Sequence, residues 1–272
     1  DTDTDTDTDT GPAPEPTVGW VVSLVGDAGG RVRVYDPVSA EVVAEWSGFG
    51  RVGGIAYYDP ADAAGLLLGD VDVVGLEDDG TTTSYGDSSL GSLTYDVSRL
   101  GNLGLLALQG GVFRFNETLG VVEEVVPTGT FTTSVAVGGN ARVAYFTDVA
   151  SGGPDLWKIN TDWTYEQVYT DFDSSTQRGA NVFVGPGDAA FACSASGGVY
   201  EVDDLLVGSR DPYVASGEIS EVVDCAYDPG SDQFLLFSKA SGVVRLSVDG
   251  TAEQVYTPPN GYTLSGVYFY EL

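Results

Sequence analysis

The stretch Cys225-Ala-Tyr-Asp-Pro-Gly-Ser-Asp-Gln-Phe-Leu-Leu-Phe-Ser238 constrains the fold most, because the chain contains it twice. The earlier copy is Ala56-Tyr-Tyr-Asp-Pro-Ala-Asp-Ala-Ala-Gly-Leu-Leu-Leu-Gly69. Tyr58-Asp59-Pro60 falls on Tyr227-Asp228-Pro229, and Leu66-Leu67-Leu68 on Leu235-Leu236-Phe237, at one ungapped offset of 169 residues. Each copy reads as a strand, a Pro-containing polar turn and a second apolar strand, which is hairpin chemistry. A helix-free repeat recurring at multiples of about 42 residues points to the blades of a β-propeller.

Four-strand units follow one another along the chain. Thr17–Val25, Arg31–Asp36 and Glu41–Trp46 form a three-strand meander. Gly54–Gly86, Leu90–Pro127, Thr132–Thr170, Gly179–Ala215 and Glu221–Thr257 are predicted as the second to sixth blades. A second echo supports the phasing: Leu156–Thr170 returns as Val244–Thr257, both ending Glu-Gln-Val-Tyr-Thr, 87 residues apart. The C-terminal Leu264–Leu272 reads as an innermost strand with no further strands after it, and the N-terminal meander lacks an innermost partner. Together they complete one blade, closing the ring without exposed edges. The expected fold is all-β: a six-bladed propeller over residues 17–272, closed by pairing of the C-terminal strand with the N-terminal blade. No helix of more than three turns is expected.

The second hairpin, Arg31-Val-Arg-Val-Tyr-Asp-Pro-Val-Ser-Ala-Glu-Val-Val-Ala-Glu-Trp46, alternates around its Asp-Pro turn. Here the chain resembles the YVTN-type propeller repeats of archaeal and bacterial surface proteins. The likeness covers about 15 residues per blade and implies a fold and a surface setting rather than an activity.

Residues 1–16 belong to none of this. Asp1 to Thr10 is five Asp-Thr dipeptides, followed by Gly11-Pro-Ala-Pro-Glu-Pro16. Extended, the segment places Asp1, Asp3, Asp5, Asp7 and Asp9 on one side and Thr2, Thr4, Thr6, Thr8 and Thr10 on the other. Like charges keep it extended over roughly 33 Å, and the Pro-rich joint is a stiff spacer. It buries nothing, so ordering it needs contacts outside its own domain: strand addition to a neighbouring copy, or glycans on the five threonines. Asn116-Glu-Thr118 is a sequon at a predicted hairpin turn, a further glycosylation candidate.

Charge bounds the partners. There are 41 acidic residues against 11 basic ones, a formal net charge of −30. Such a field repels phosphate backbones and argues against nucleic acid. Scarce lysine and abundant Asp also fit a protein of very salty water; an acidic secreted protein from ordinary water is the competing reading. No run of about 18 apolar residues predicts a membrane span. The chain starts at Asp1 and has no Met, as expected of a trimmed form or part of a longer precursor.

Chemistry is harder to place. There is no histidine, which excludes Ser-His-Asp, Cys-His and imidazole-metal systems. Asp70 and Asp72 half-match a calcium loop, but Val74 takes a ligand position and Thr81 replaces the closing glutamate. These two, Asp171 with Asp173, and Asp203 with Asp204 are read as solvated carboxylates. Lactonase-type propellers hold calcium at the channel mouth with acids and asparagines, and no such set stands in register here. Ser247-Val-Asp-Gly-Thr251 only grazes the sialidase Asp-box. Trp20, Trp46, Trp157 and Trp163 are expected to pack between blades rather than line a lectin site. Cys193 and Cys225 fall in strands of neighbouring blades and are expected as buried free thiols, a bridge being the alternative.

The expected function is a non-enzymatic structural subunit of an extracellular, cell-surface or virion-surface assembly, without catalytic residues, cofactor or metal. The propeller is the bead and the tail connects to copies of itself or other surface proteins. The alternative is a ligand- or glycan-binding surface propeller, with a carboxylate- or calcium-dependent hydrolase behind it.

Overall fold

Asp228 shows why the opening motif folds as a hairpin. It ends one strand, and Gln233 begins the next directly opposite it. Its buried carboxylate accepts the Gly230 N–H at 3.0 Å through Oδ1 and the Ser231 hydroxyl at 2.8 Å through Oδ2. The turn therefore satisfies a group that burial alone would penalise. Asp36 does the same in the first Asp-Pro turn, accepting the Ser39 N–H at 2.7 Å.

The computed structural model describes residues 18–26, 29–36, 39, 41–49, 52–59, 64–69, 73–77, 79–84, 94–100, 103–116, 121–137, 144–150, 153–169, 181–208 and 211–271. These form five antiparallel sheets. Sheet 1 holds β1 (Val18–Gly26), β2 (Gly29–Tyr35), β3 (Val42–Phe49) and the C-terminal β22 (Tyr262–Glu271), in the order β22-β1-β2-β3. Sheet 2 holds β4 (Val52–Asp59), β5 (Ala64–Gly69), β6 (Val73–Leu76) and β7 (Thr82–Ser84). Sheet 3 has six strands: β8 (Thr94–Leu100), β9 (Leu103–Asn116), β10 (Val121–Val137), β11 (Ala144–Ala150), β12 (Gly153–Ile159) and β13 (Tyr165–Tyr169). Sheet 4 holds β14 (Asn181–Val184), β15 (Ala190–Cys193), β16 (Gly198–Glu201) and β17 (Val214–Ala215). Sheet 5 holds β18 (Val222–Asp228), β19 (Gln233–Ser238), β20 (Gly242–Ser247) and β21 (Ala252–Tyr256). The only α-helix among the described residues is α1 (Val202–Leu206).

The chain's ends meet as anticipated. β22 pairs antiparallel with β1 from Val18↔Glu271 to Gly26↔Tyr262, with one irregularity at Ser23/Leu24. β2 pairs along the other side of β1, so the first strand lies inside its sheet.

Sheets 1, 4 and 5 are apolar on both faces because each is covered twice. On β19, Phe234 and Leu236 join Phe191 and Val199 of sheet 4, whereas Leu235 and Phe237 join Trp20 and Val22 of sheet 1. Successive side chains point to opposite faces, so a doubly covered strand reads as the uninterrupted run Phe-Leu-Leu-Phe. Sheet 1 likewise sends Val21, Val34 and Trp46 against Leu76 of sheet 2. The leading strands touch in sequence: β22 with β4, β4 with β8, β8 with β10, β10 with β14, β14 with β18, and β18 with β22.

Two expectations need correction. The predicted third and fourth blades are one hydrogen-bonded sheet, because β10 runs unbroken through Pro127 to Phe131 instead of turning. β9 pairs with β8 through Leu103–Leu108 and with β10 through Gln109–Asn116. Register shifts lie at Pro127/Phe131 and Thr132/Ser134. There the sheet folds on itself: the Arg114 guanidinium on β9 lies 5.5 Å from the Trp163 ring beyond β12, while a flat sheet separates β9 from β12 by about 14 Å. Second, Cys193 and Cys225 are not free thiols but a disulfide, with Cα atoms 6.6 Å apart. They lie on the second strand of sheet 4 and the first of sheet 5, within the one apolar cluster these sheets share. Membership of adjacent strands was legible; the facing of the two side chains depends on how the sheets pack.

Candidate functional site

Four hydrogen-bonded strand pairs carry a recurring charge pattern. Arg33 on β2 faces Glu45 on β3, Arg114 on β9 faces Glu123 on β10, Lys158 on β12 faces Glu166 on β13, and Arg245 on β20 faces Glu253 on β21. Cross-strand pairs of opposite charge favour the register in which they meet. Arg114 and Glu123 form an ion pair.

Sheet 1 departs from one-to-one matching. Arg31 shares a face of β2 with Arg33 but lies opposite Ser47. Glu45 serves both, its Oε2 at 2.6 Å from Arg33 Nε and its Oε1 at 3.2 Å from Arg31 Nη1. The Arg31 guanidinium also lies 5.4 Å from the Tyr262 ring centre. Burial alone would lower the Arg33 pKa, but hydrogen bonds to Tyr35 and Glu45 outweigh it and raise it. Two cations around one anion leave a local positive excess on a chain of net charge −30. Next to this patch, the buried Tyr35 and Tyr256 hydroxyls meet at 3.1 Å across the junction of sheets 1 and 5. Burial, then the Tyr35 hydrogen bond, drives the Tyr256 pKa well above the ordinary phenol range.

Other polar constellations are local. Asn181 on β14 donates to Asp224 on β18 at 3.0 Å, joining the first strands of sheets 4 and 5. Tyr227 donates to Asp232 at 2.7 Å, and burial followed by that bond raises its pKa to about 12. Asp79, Asp162 and Asp249 occupy equivalent turns and accept the N–H of Thr81, Thr164 and Thr251 at 2.8, 3.0 and 2.9 Å. Hydrogen bonds from those threonines hold all three carboxylates below their usual pKa. These aspartates explain the Ser247–Thr251 stretch as turn chemistry rather than an Asp-box. Gly80 and Gly250 take the left-handed position in two of the turns, and Trp163 takes it in the third at φ 68°. Among the described residues no group of three His, Cys, Asp or Glu could hold a metal. No helix of the described residues is long and apolar enough to cross a membrane.

The sequence-selected residues distribute unevenly. Asp1, Asp3, Asp5, Asp7, Asp9 and the five tail threonines lie outside the described residues, as do Asp70, Asp72, Asp171 and Asp173. Asn116 ends β9, opposite Val121. Asp203 and Asp204 are exposed in the first turn of α1. Trp20 and Trp46 are buried between sheets as expected, with Trp46 Nε1 donating to the Glu77 carbonyl of sheet 2 at 3.1 Å. Sequence reasoning missed the Arg31–Arg33 patch. Its signal was available: these are the only two basic residues fewer than six positions apart in the chain.

No protein-family model and no curated protein matches the sequence. Solved structures do. One from a nidogen/laminin complex matches with a TM-score of 0.72 at 10% identity, over 93% of this chain and 98% of that one. The fold is of the β-propeller type. Virginiamycin B lyase from Staphylococcus aureus matches at TM-score 0.59 and 11% identity, over 78% of this propeller chain and 71% of that chain. Regucalcin, a calcium-binding protein from Agrobacterium tumefaciens, matches at 0.57 and 12%, over 76% and 74%.

Proposed function

We propose that this chain is a six-bladed propeller serving as a non-enzymatic structural subunit of an extracellular or surface assembly, such as a fibre, sheath or virion decoration. Asp1–Thr10 is its connector to other copies or other surface proteins. The blade count is supported by the cyclic order of leading-strand contacts and by the folded sheet 3, in which β9 and β10 each supply two blade strands.

The observation that carries the functional reading is where the tail attaches. Its Pro-rich joint leads into β1, which is hydrogen-bonded on both sides along its length. Tension on the tail is therefore shared by two ladders in the interior of a sheet. An edge strand would peel from a single neighbour.

Other observations agree. The Cys193–Cys225 bridge suits an oxidising, extracellular setting. Glycans on the tail threonines and on Asn116 fit that setting. One of the similar lyase structures is a histidine-to-alanine variant described as catalytically inactive; this chain has no histidine to supply. The similarity to a propeller from a nidogen/laminin complex favours one second reading, a surface propeller that binds a different partner.

Sedimentation velocity tests the proposal. The full chain is expected to self-associate with rising concentration, and removal of residues 1–16 to leave a monomer. Monomers in both samples would overturn it.

A further inference from the structure

We infer that the Arg31–Arg33 face of β2 is the receiving site for the Asp-Thr tail of a neighbouring copy, an inference that rests on the connector reading above. The first ground is charge. In the other three basic–acidic strand pairs one cation meets one glutamate, whereas here Arg31 and Arg33 share Glu45. A guanidinium has five N–H donors. Among the described residues, Glu45 accepts one from each arginine and Tyr35 takes another from Arg33, and the remaining donors can turn to an incoming carboxylate. The patch is partly exposed beside the cluster that sheet 1 shares with sheet 5: Arg31 and Glu45 side chains are each 32% exposed and Arg33 19%, so Arg31 is the more accessible cation.

The second ground is spacing. Arg31 and Arg33 stand two residues apart on one strand face, so their backbone positions repeat at about 6.7 Å. An extended Asp-Thr segment repeats its carboxylates at the same interval, because it too alternates with period two. Neighbouring aspartates of one tail can therefore meet both guanidiniums without distorting either backbone. The tail has five carboxylates and the patch two cations, so the segment can dock in several registers. By composition the Pro-rich joint is expected to be a stiff spacer, which would keep the segment from folding straight back onto its own β1. That geometry favours a second copy as the occupant.

The test uses the full chain with its five tail aspartates replaced by asparagine, so that no acidic tail competes. A synthetic Asp-Thr decapeptide is titrated against it at about 50 mM salt, with an Asn-Thr decapeptide as control. The Asp peptide is expected to bind and the Asn peptide not to. Arg31→Gln with Arg33→Gln should weaken binding at least tenfold, while Arg114→Gln, an arginine paired elsewhere, leaves it unchanged. Raising salt to about 1 M should also weaken it, since screening then acts within about 3 Å. Matching melting temperatures exclude misfolding; if the double glutamine variant melts early, Arg31→Gln alone is compared.

No peptide binding, or equal binding by the glutamine variants, overturns the inference. Wild-type self-association that needs the tail but survives Arg31→Gln with Arg33→Gln leaves the connector reading standing and removes this site. Peptide binding by the tail-substituted chain, with the wild-type chain monomeric at every concentration, places the tail on its own propeller and overturns the second-copy occupant together with the connector reading.

Discussion

The two junctions of sheet 5 solve one packing problem differently. Against sheet 4 it is held by a covalent bridge, Cys193–Cys225, set in a cluster of Phe183, Phe191, Phe234 and Leu236. Against sheet 1 it has no covalent link among the described residues but an apolar cluster that includes Trp20, Leu24, Phe237 and Val243, with the Tyr35–Tyr256 hydroxyl contact beside it. The bridged residues are 32 positions apart, the tyrosines 221. The first junction forms between consecutive segments and can stand before the rest of the chain is placed. The second joins opposite ends of the chain and forms only when β22 has found β1. Its stability is therefore tied to global folding, and the loop-closure entropy it must overcome is larger.

The largest effect should come from cutting the long-range junction. Ending the chain after Gly261 removes β22 and turns β1 into an edge strand. We expect loss of the cooperative thermal transition by circular dichroism, with dye binding to exposed apolar surface. A cooperative melt within a few degrees of the intact protein would show that the ends do not support each other.

Next is the bridge. Replacing both cysteines by alanine frees a 32-residue loop in the unfolded state, which corresponds to about 3–4 kcal/mol. Urea unfolding should show a lower midpoint and an equal or steeper slope, since the unlinked unfolded chain exposes more surface. A loss below about 1 kcal/mol would mean that apolar packing alone holds sheets 4 and 5 together.

A smaller effect separates the junctions by pH. Burial raises the folded-state pKa of Tyr256 above its ordinary value near 10 and that of Tyr227 to about 12. The folded state then retains phenolic protons that the unfolded state releases. Their contribution is fully present below about pH 10 and is lost as pH rises through the folded-state values. The melting temperature should fall from about pH 10 upward. Tyr256→Phe should flatten the fall while costing about 1 kcal/mol at neutral pH through the lost hydroxyl contact. An unchanged alkaline profile in that variant would remove Tyr256 from the account.

Much of this organisation could be read from residues. The Tyr-Asp-Pro repeat marked its hairpins because Asp228 caps a turn that Gly230 and Ser231 complete. The uninterrupted apolar runs identified strands covered on both faces, and the unpaired C-terminal strand announced its union with the first. The continuity of sheet 3 escaped the sequence because nothing local distinguishes Pro127–Phe131 as continuous strand from a linker. The disulfide was missed because its geometry belongs to a pair of sheets, not to either strand. The arginine patch escaped notice because a lone excess charge matters only once its neighbours are seen to be matched.

The union of the two chain ends is the central claim, and a cross-link tests it most directly. Val22 and Val267 face each other in the β1–β22 register, and both are buried. Cysteines at these two positions should form a second disulfide in the native protein, found by peptide mass mapping, and should raise the melting temperature. Two free thiols at those positions in folded protein, or a cross-link that forms only after denaturation, would contradict the account.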